Sequence, residues 1–150
     1  MERDSTLKAI VGEQLLLDIQ NSYMEYLGTS AAIYEVNGDY AASLFTSNWC
    51  DFLNLSSKKL CGDVSEHAAQ KSGKWICHED CWQVSLQAMR EAKPCERECS
   101  GGIIIYSVPI IADGTVIGVN NAGVSNPPTD LVKIRDIALR YKVSSEELLK

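Results

Sequence analysis

The chain has 150 residues, 45% hydrophobic and 23% charged, which is enough apolar material for one domain with a buried core. Its formal net charge of -6, with no local run of Lys or Arg, opposes a phosphate backbone and argues against direct nucleic-acid binding. The charged start Met1-Glu2-Arg3-Asp4-Ser5 is unlike a signal peptide, and no stretch approaches the roughly 18 apolar residues of a membrane span, so the expected compartment is the cytoplasm.

Asp4 or Ser5 is placed to cap a first helix that carries Leu7, Val11, Leu15, Ile19, Tyr23 and Tyr26 on one face and ends at Gly28. That apolar stripe suits either packing on the domain's own sheet or a homodimer interface. Residues Ala31 to Val36 read as a strand, Asn37-Gly38 as a two-residue hairpin turn, and Tyr40 to Phe45 as the return strand. Asn48 to Leu60 is an expected helix burying Trp49, Phe52, Leu53 and Leu60, and Asp63 to Lys71 a second. Glu79 to Ala92 is a third, with Trp82, Leu86, Met89 and Ala92 on its apolar face and Pro94 as its stop. Strand character returns from Gly102 to Ile111; Asp113-Gly114 makes a second hairpin turn, and Val116 to Val119 pairs back. After Pro127-Pro128, Thr129 is the expected cap of a helix with Leu131, Ile134, Ala138 and Tyr141 on one face. Ser144 and Glu147 form a capping box for one more helix, which reaches the last residue, Lys150, and so suggests that an output domain follows. The element order describes an α+β domain: an antiparallel sheet with helices across it.

Six cysteines, Cys50, Cys61, Cys77, Cys81, Cys95 and Cys99, fall within one third of the chain. In a reducing compartment such a cluster points to metal binding or redox chemistry more than to disulfides, although free cysteine also packs as a small hydrophobe. If Trp75 to Trp82 opens a helix, Cys77 and Cys81 lie on one face within reach of a shared ion. Thiolates favour zinc and iron–sulfur centres; His78 offers a nitrogen and His67 a more distant one. The spacing matches neither ferredoxin runs nor a redox Cys-x-x-Cys, so a pocket of sulfur and aromatic groups for a small organic ligand stands beside the metal reading. Catalysis has less support: adjacent Cys77 and His78 diverge by about 100° on a helix, and no phosphate loop or nucleophile elbow is present.

Several blocks together resemble the PocR-type sensory domain: Ser47-Asn48-Trp49-Cys50-Asp51-Phe52, Leu60-Cys61-Gly62, Trp75 to Trp82, Glu98-Cys99-Ser100-Gly101-Gly102-Ile103 with Tyr106-Ser107-Val108-Pro109-Ile110, and Gly118 to Gly123 through Asp130. The resemblance runs from about Leu7 to Lys150. It implies a PAS-like antiparallel sheet flanked by helices, with a cysteine-rich helical insertion. It also implies a non-enzymatic input domain, of the kind found N-terminal to histidine kinases and transcription regulators, that senses simple diols or hydrocarbon derivatives. Carried over, Trp49, Cys50, His78, Trp82 and Tyr106 are the expected ligand-binding side chains. Cys61, Cys77, Cys81 and Cys99 are the expected set for zinc or an iron–sulfur cluster, with Cys95 a bystander. The alternatives are a structural zinc module and a thiol-dependent enzyme.

Overall fold

The computed structural model describes residues 6–27, 30–45 and 47–149, and the side chains of all of these except 23–27 and 44–45. Among the described residues, seven helices and five strands follow one another as α1 (Leu7–Val11), α2 (Glu13–Leu27), β1 (Ser30–Glu35), β2 (Tyr40–Phe45), α3 (Asn48–Lys59), α4 (Glu66–Lys71), α5 (Ile76–Glu91), β3 (Cys95–Glu98), β4 (Ile104–Ala112), β5 (Thr115–Gly123), α6 (Leu131–Tyr141) and α7 (Ser145–Leu148). The strands form one sheet in the order β2-β1-β5-β4-β3, every neighbouring pair antiparallel. The α3–α5 segment is the cysteine-rich helical insertion between the two halves of the sheet.

The expected single first helix is two. Thr6 caps α1 by accepting from the Ala9 amide, and Gly12 at φ +91° breaks the run, a conformation that favours glycine. The break resets the helical phase. Leu7, Leu16 and Gln20 become buried, while Leu15 and Ile19 of the apolar stripe are exposed. The caps expected at Asp4 or Ser5 and the stop at Gly28 lie outside the described residues, as do the Tyr23 and Tyr26 side chains.

β1 is buried along nearly its whole length because both faces are covered. Successive residues of a strand point to opposite faces. Ile33 packs with Leu7, Leu16, Ala41 and Ala42 under α1 and α2, whereas Ala32 and Tyr34 pack with Ala88 and Val119 under α5. The first hairpin is wider than two residues: the Glu35 amide donates to the Asp39 carbonyl at 2.8 Å, and Gly38 turns at φ +96° against the Trp82 ring. The second is the tight turn expected, with Ala112 opposite Thr115 and positive φ at both Asp113 and Gly114.

In the insertion, Ser47 caps α3 and Ser65 caps α4. Leu53 is buried as expected, but Trp49, Phe52 and Leu60 are only half-buried. α5 begins three residues before the expected Glu79 and buries Val84, Ser85 and Ala88, a face rotated from the expected Leu86–Met89 one. Asp130 rather than Thr129 caps α6, accepting from the Val132 and Lys133 amides. Its buried face is Ile134, Ile137, Ala138 and Tyr141, leaving Leu131 exposed. The Ser144–Glu147 capping box forms as expected. α6 and α7 dock through these residues and Leu148 onto Leu53, with Trp49, Phe52, Ile76 and Cys77 packed around them. No described helix is long and apolar enough to cross a membrane.

A sulfur-lined cavity between the insertion and the sheet

Where α3 and α5 cross the sheet they leave a cavity of about 60 Å³. That is several times the roughly 10–15 Å³ a single water needs. Trp49, Cys50 and Leu53 wall it from α3, Cys77 and Cys81 from α5, Cys99 and Gly101 from the turn after β3, Tyr141 from the end of α6, and Ser30 and Asn121 from the sheet. The wall is almost wholly apolar carbon and sulfur.

Each wall residue is set by local structure. The Ser47 cap fixes the first turn of α3, accepting from the Cys50 amide at 3.2 Å. The Trp49 indole N–H donates to the Gly101 carbonyl at 2.9 Å, which ties α3 to the Cys99 turn. That turn is closed by Cys99 and Ile103, whose amide and carbonyl meet at 2.8 Å, and is clamped to α5 by Asp80, whose carboxylate accepts from the Ser100 amide at 2.7 Å. Cys77 and Cys81 are one helical turn apart. Tyr141 and Cys77 approach within hydrogen-bond range, hydroxyl to sulfur 3.5 Å.

The floor carries a buried polar cluster. The Ser107 hydroxyl donates to Asn121 Oδ1, and Asn121 Nδ2 donates to Ser85 Oγ at 2.8 Å and to the Cys81 carbonyl at 3.1 Å. Beside it Ser30 Oγ is buried with no hydrogen-bond partner among the described residues. Ser30 shares the α5-facing side of β1 with Ala32 and Tyr34 and lines the cavity. Burial pushes the Cys77 thiol up to about 12 and raises Cys81 and Cys99 as well, so all three are neutral thiols at physiological pH. A thiol enzyme requires the opposite shift.

The structure divides the expected site residues. Trp49, Cys50, Cys77, Cys81 and Cys99 meet at the cavity. Cys61 does not: it lies beyond α3 beside Ser57 and Ser72, with Ser72 Oγ 3.4 Å from its sulfur. His78 is one residue round the helix from Cys77 and points to another cluster, where it stacks on Trp75 at 5.3 Å between centroids and its Nδ1 lies 3.4 Å from the Tyr40 hydroxyl. Burial holds its pKa down to about 4, so it is a neutral core histidine. Trp82 packs against Tyr34 and Gly38, and Tyr106 is 41% exposed on β4. Cys95 sits at the start of β3 beside the Glu91 carboxylate. Among the described residues, no group of three or more His, Cys, Asp or Glu is already drawn together so as to hold a metal ion. Ser30, Asn121 and Tyr141 were not expected at a site. Asn121, one of two adjacent asparagines in an otherwise apolar stretch of β5, was a legible signal, because such a group must find partners when buried.

A five-stranded antiparallel sheet covered by helices on both faces, with a cavity under its helical insertion, is a PAS-like α+β sensory architecture. The family model described as the sensory domain found in PocR matches residues 10–150, and the chain belongs to that family. Among solved structures it is similar to an IclR homologue of Microbacterium hydrocarbonoxydans complexed with 4-hydroxybenzoate, at 12% identity and a TM-score of 0.44, over 99% of this chain and 72% of that one. No curated protein matches the chain.

Proposed function

We propose that the chain is the input domain of a signalling protein, non-catalytic in itself, and that its stimulus, a small molecule or a metal, is taken up in the cavity between α3, α5 and the sheet. One observation carries this reading: the side chains that wall the cavity also hold the C-terminal helices. Trp49, Leu53, Cys77 and Tyr141 face the cavity, and the same four belong to the cluster on which Ile134, Ile137 and Leu148 pack. Trp49 additionally borders an open groove against Glu147, Leu148 and Leu149 of the α7 end. An occupant that shifts these walls changes the seat of α6 and α7, the elements nearest a following output domain. Only differential affinity for the two seats moves that equilibrium.

Ser30→Val tests the coupling without knowledge of the stimulus. It removes the orphaned hydroxyl and partly fills the cavity, and relief of an unpaired buried polar group is worth about 1–3 kcal/mol. The melting temperature is expected to rise, and amide exchange in α6 to slow more than exchange in β2. A rise in melting temperature with α6 exchange unchanged relative to β2 would overturn the coupling.

A further inference from the structure

We infer that Cys50, Cys77, Cys81 and Cys99 form a thiolate site for a soft metal centre, zinc or iron–sulfur; this rests on reading the cavity as the sensory site and names its occupant. Four of the six cysteines reach one small cavity from three separate parts of the chain, while Cys61 and Cys95 lie elsewhere. Sequence spacing pairs Cys77 with Cys81 but gives no reason for Cys50 in place of Cys61; the crossing of α3 over the sheet supplies it. The backbone at each position is anchored independently: Cys50 by the Ser47 cap, Cys77 and Cys81 by α5, Cys99 by a turn that Asp80 holds to that same helix. No Lys, Arg or His lines the cavity.

Four cysteines are the usual ligand count for both zinc and four-iron clusters, and sulfur selects these over harder ions. The four thiols would have to turn inward to share one centre, since among the described residues no three ligating groups are yet drawn together. On coordination each ligating thiol gives its proton to water, and the cluster enters preassembled, so no electron changes hands. Cys77, drawn to the metal, leaves the Tyr141 hydroxyl it meets at 3.5 Å, which links the site to the end of α6.

The test is metal and acid-labile sulfide analysis with an absorption spectrum on the whole chain purified without oxygen. It is repeated for Cys50→Ser, Cys81→Ser, Cys99→Ser and Cys61→Ser, with folding followed by circular dichroism. Iron with sulfide, or colourless zinc, at one site per chain is expected, lost in the first three variants and kept in Cys61→Ser. Cobalt(II) titration of the metal-free wild type gives a second reading that needs no variant to fold: thiolate charge-transfer bands are expected. Metal-free protein with no such bands, or metal lost in Cys61→Ser but kept in Cys50→Ser, would overturn the inference. Stabilisation of metal-free protein by propane-1,2-diol, with no metal uptake, would overturn it too while leaving the cavity as the sensory site. An unchanged α6 in Ser30→Val strikes at the cavity reading itself.

Discussion

Asn121→Ala is expected to destabilise the domain by about 3 kcal/mol, read as a fall in melting temperature of about 6–12 °C for a chain of this size. Asn121 is 2% exposed, and its amide joins β4, β5 and α5 through hydrogen bonds. Truncation removes three hydrogen bonds, each worth about 1 kcal/mol net. The losses are unequal. Ser85 keeps its bond to the Cys81 carbonyl at 2.6 Å, but Ser107, fully buried, loses the acceptor it donates to. An unpaired buried hydroxyl costs about 1–3 kcal/mol, so the Ser107 bond carries the largest share of that loss. Ser107→Ala in the Asn121→Ala background should therefore recover part of the loss, with a coupling of about 0.5–3 kcal/mol in the double-mutant cycle. Strict additivity of the two substitutions would show that Ser107 does not depend on Asn121. Because Asn121 also lines the cavity beside Cys81, the same variant should loosen α5 at the site, visible as faster exchange of the amides that follow Cys81.

The parts of the fold legible in the sequence are those fixed by local chemistry. The Ser144–Glu147 box, the Asp113-Gly114 turn, β2 and the stop before Pro94 each depend on residues within a few positions of one another, and each lies where the sequence put it. Illegible parts depend on tertiary choice. Gly12 is one glycine inside an otherwise continuous apolar stripe; whether such a residue is tolerated or breaks the helix is decided by what α1 packs on, here the Glu35 carboxylate and β5. The site shows the same division. Cys77 and Cys81 are paired by helical spacing alone, and Cys99 belongs with them through the resemblance. Cys50 lies in the first turn of α3 and Cys61 just past its last, so only the direction in which α3 crosses the sheet decides which of them meets the cavity. His78 and Trp82, ligand-binding positions by the resemblance, each follow a cysteine in sequence. One step round a helix is about 100°, enough to place them in the aromatic cluster with Tyr34 and Tyr40 instead.

Gly118→Ala is expected to cost about 3 kcal/mol, the upper end of what overpacking a well-filled core incurs. A methyl group there would stand 2.8 Å from the Tyr34 carbonyl oxygen and 2.8 Å from Leu7 Cδ2. Both obstacles are confined. Tyr34 is the fully buried centre of β1, held in register opposite Val119. Leu7 is the plug of the N-terminal helix, 1% exposed, with its amide donating to the buried Glu35 carboxylate at 2.6 Å and the Lys8 amide donating to the same group at 2.8 Å. Which obstacle dominates is separable. Leu7→Ala alone should cost about 2–5 kcal/mol through lost burial and the space left behind. If the carbonyl is the harder wall, Gly118→Ala remains destabilising by more than half its original cost when Leu7 is already Ala. If it becomes neutral there, the side chain was the whole obstacle and β1 and β5 have more freedom than their register suggests. The contact lies on the face of the sheet opposite the cavity, so amide exchange in α5 and α6 of the folded fraction of Gly118→Ala should stay at the wild-type rate. Faster exchange there in that folded fraction would mean the two faces of β1 do not act independently, and that the N-terminal plug is coupled to the cavity along with the C-terminal helices.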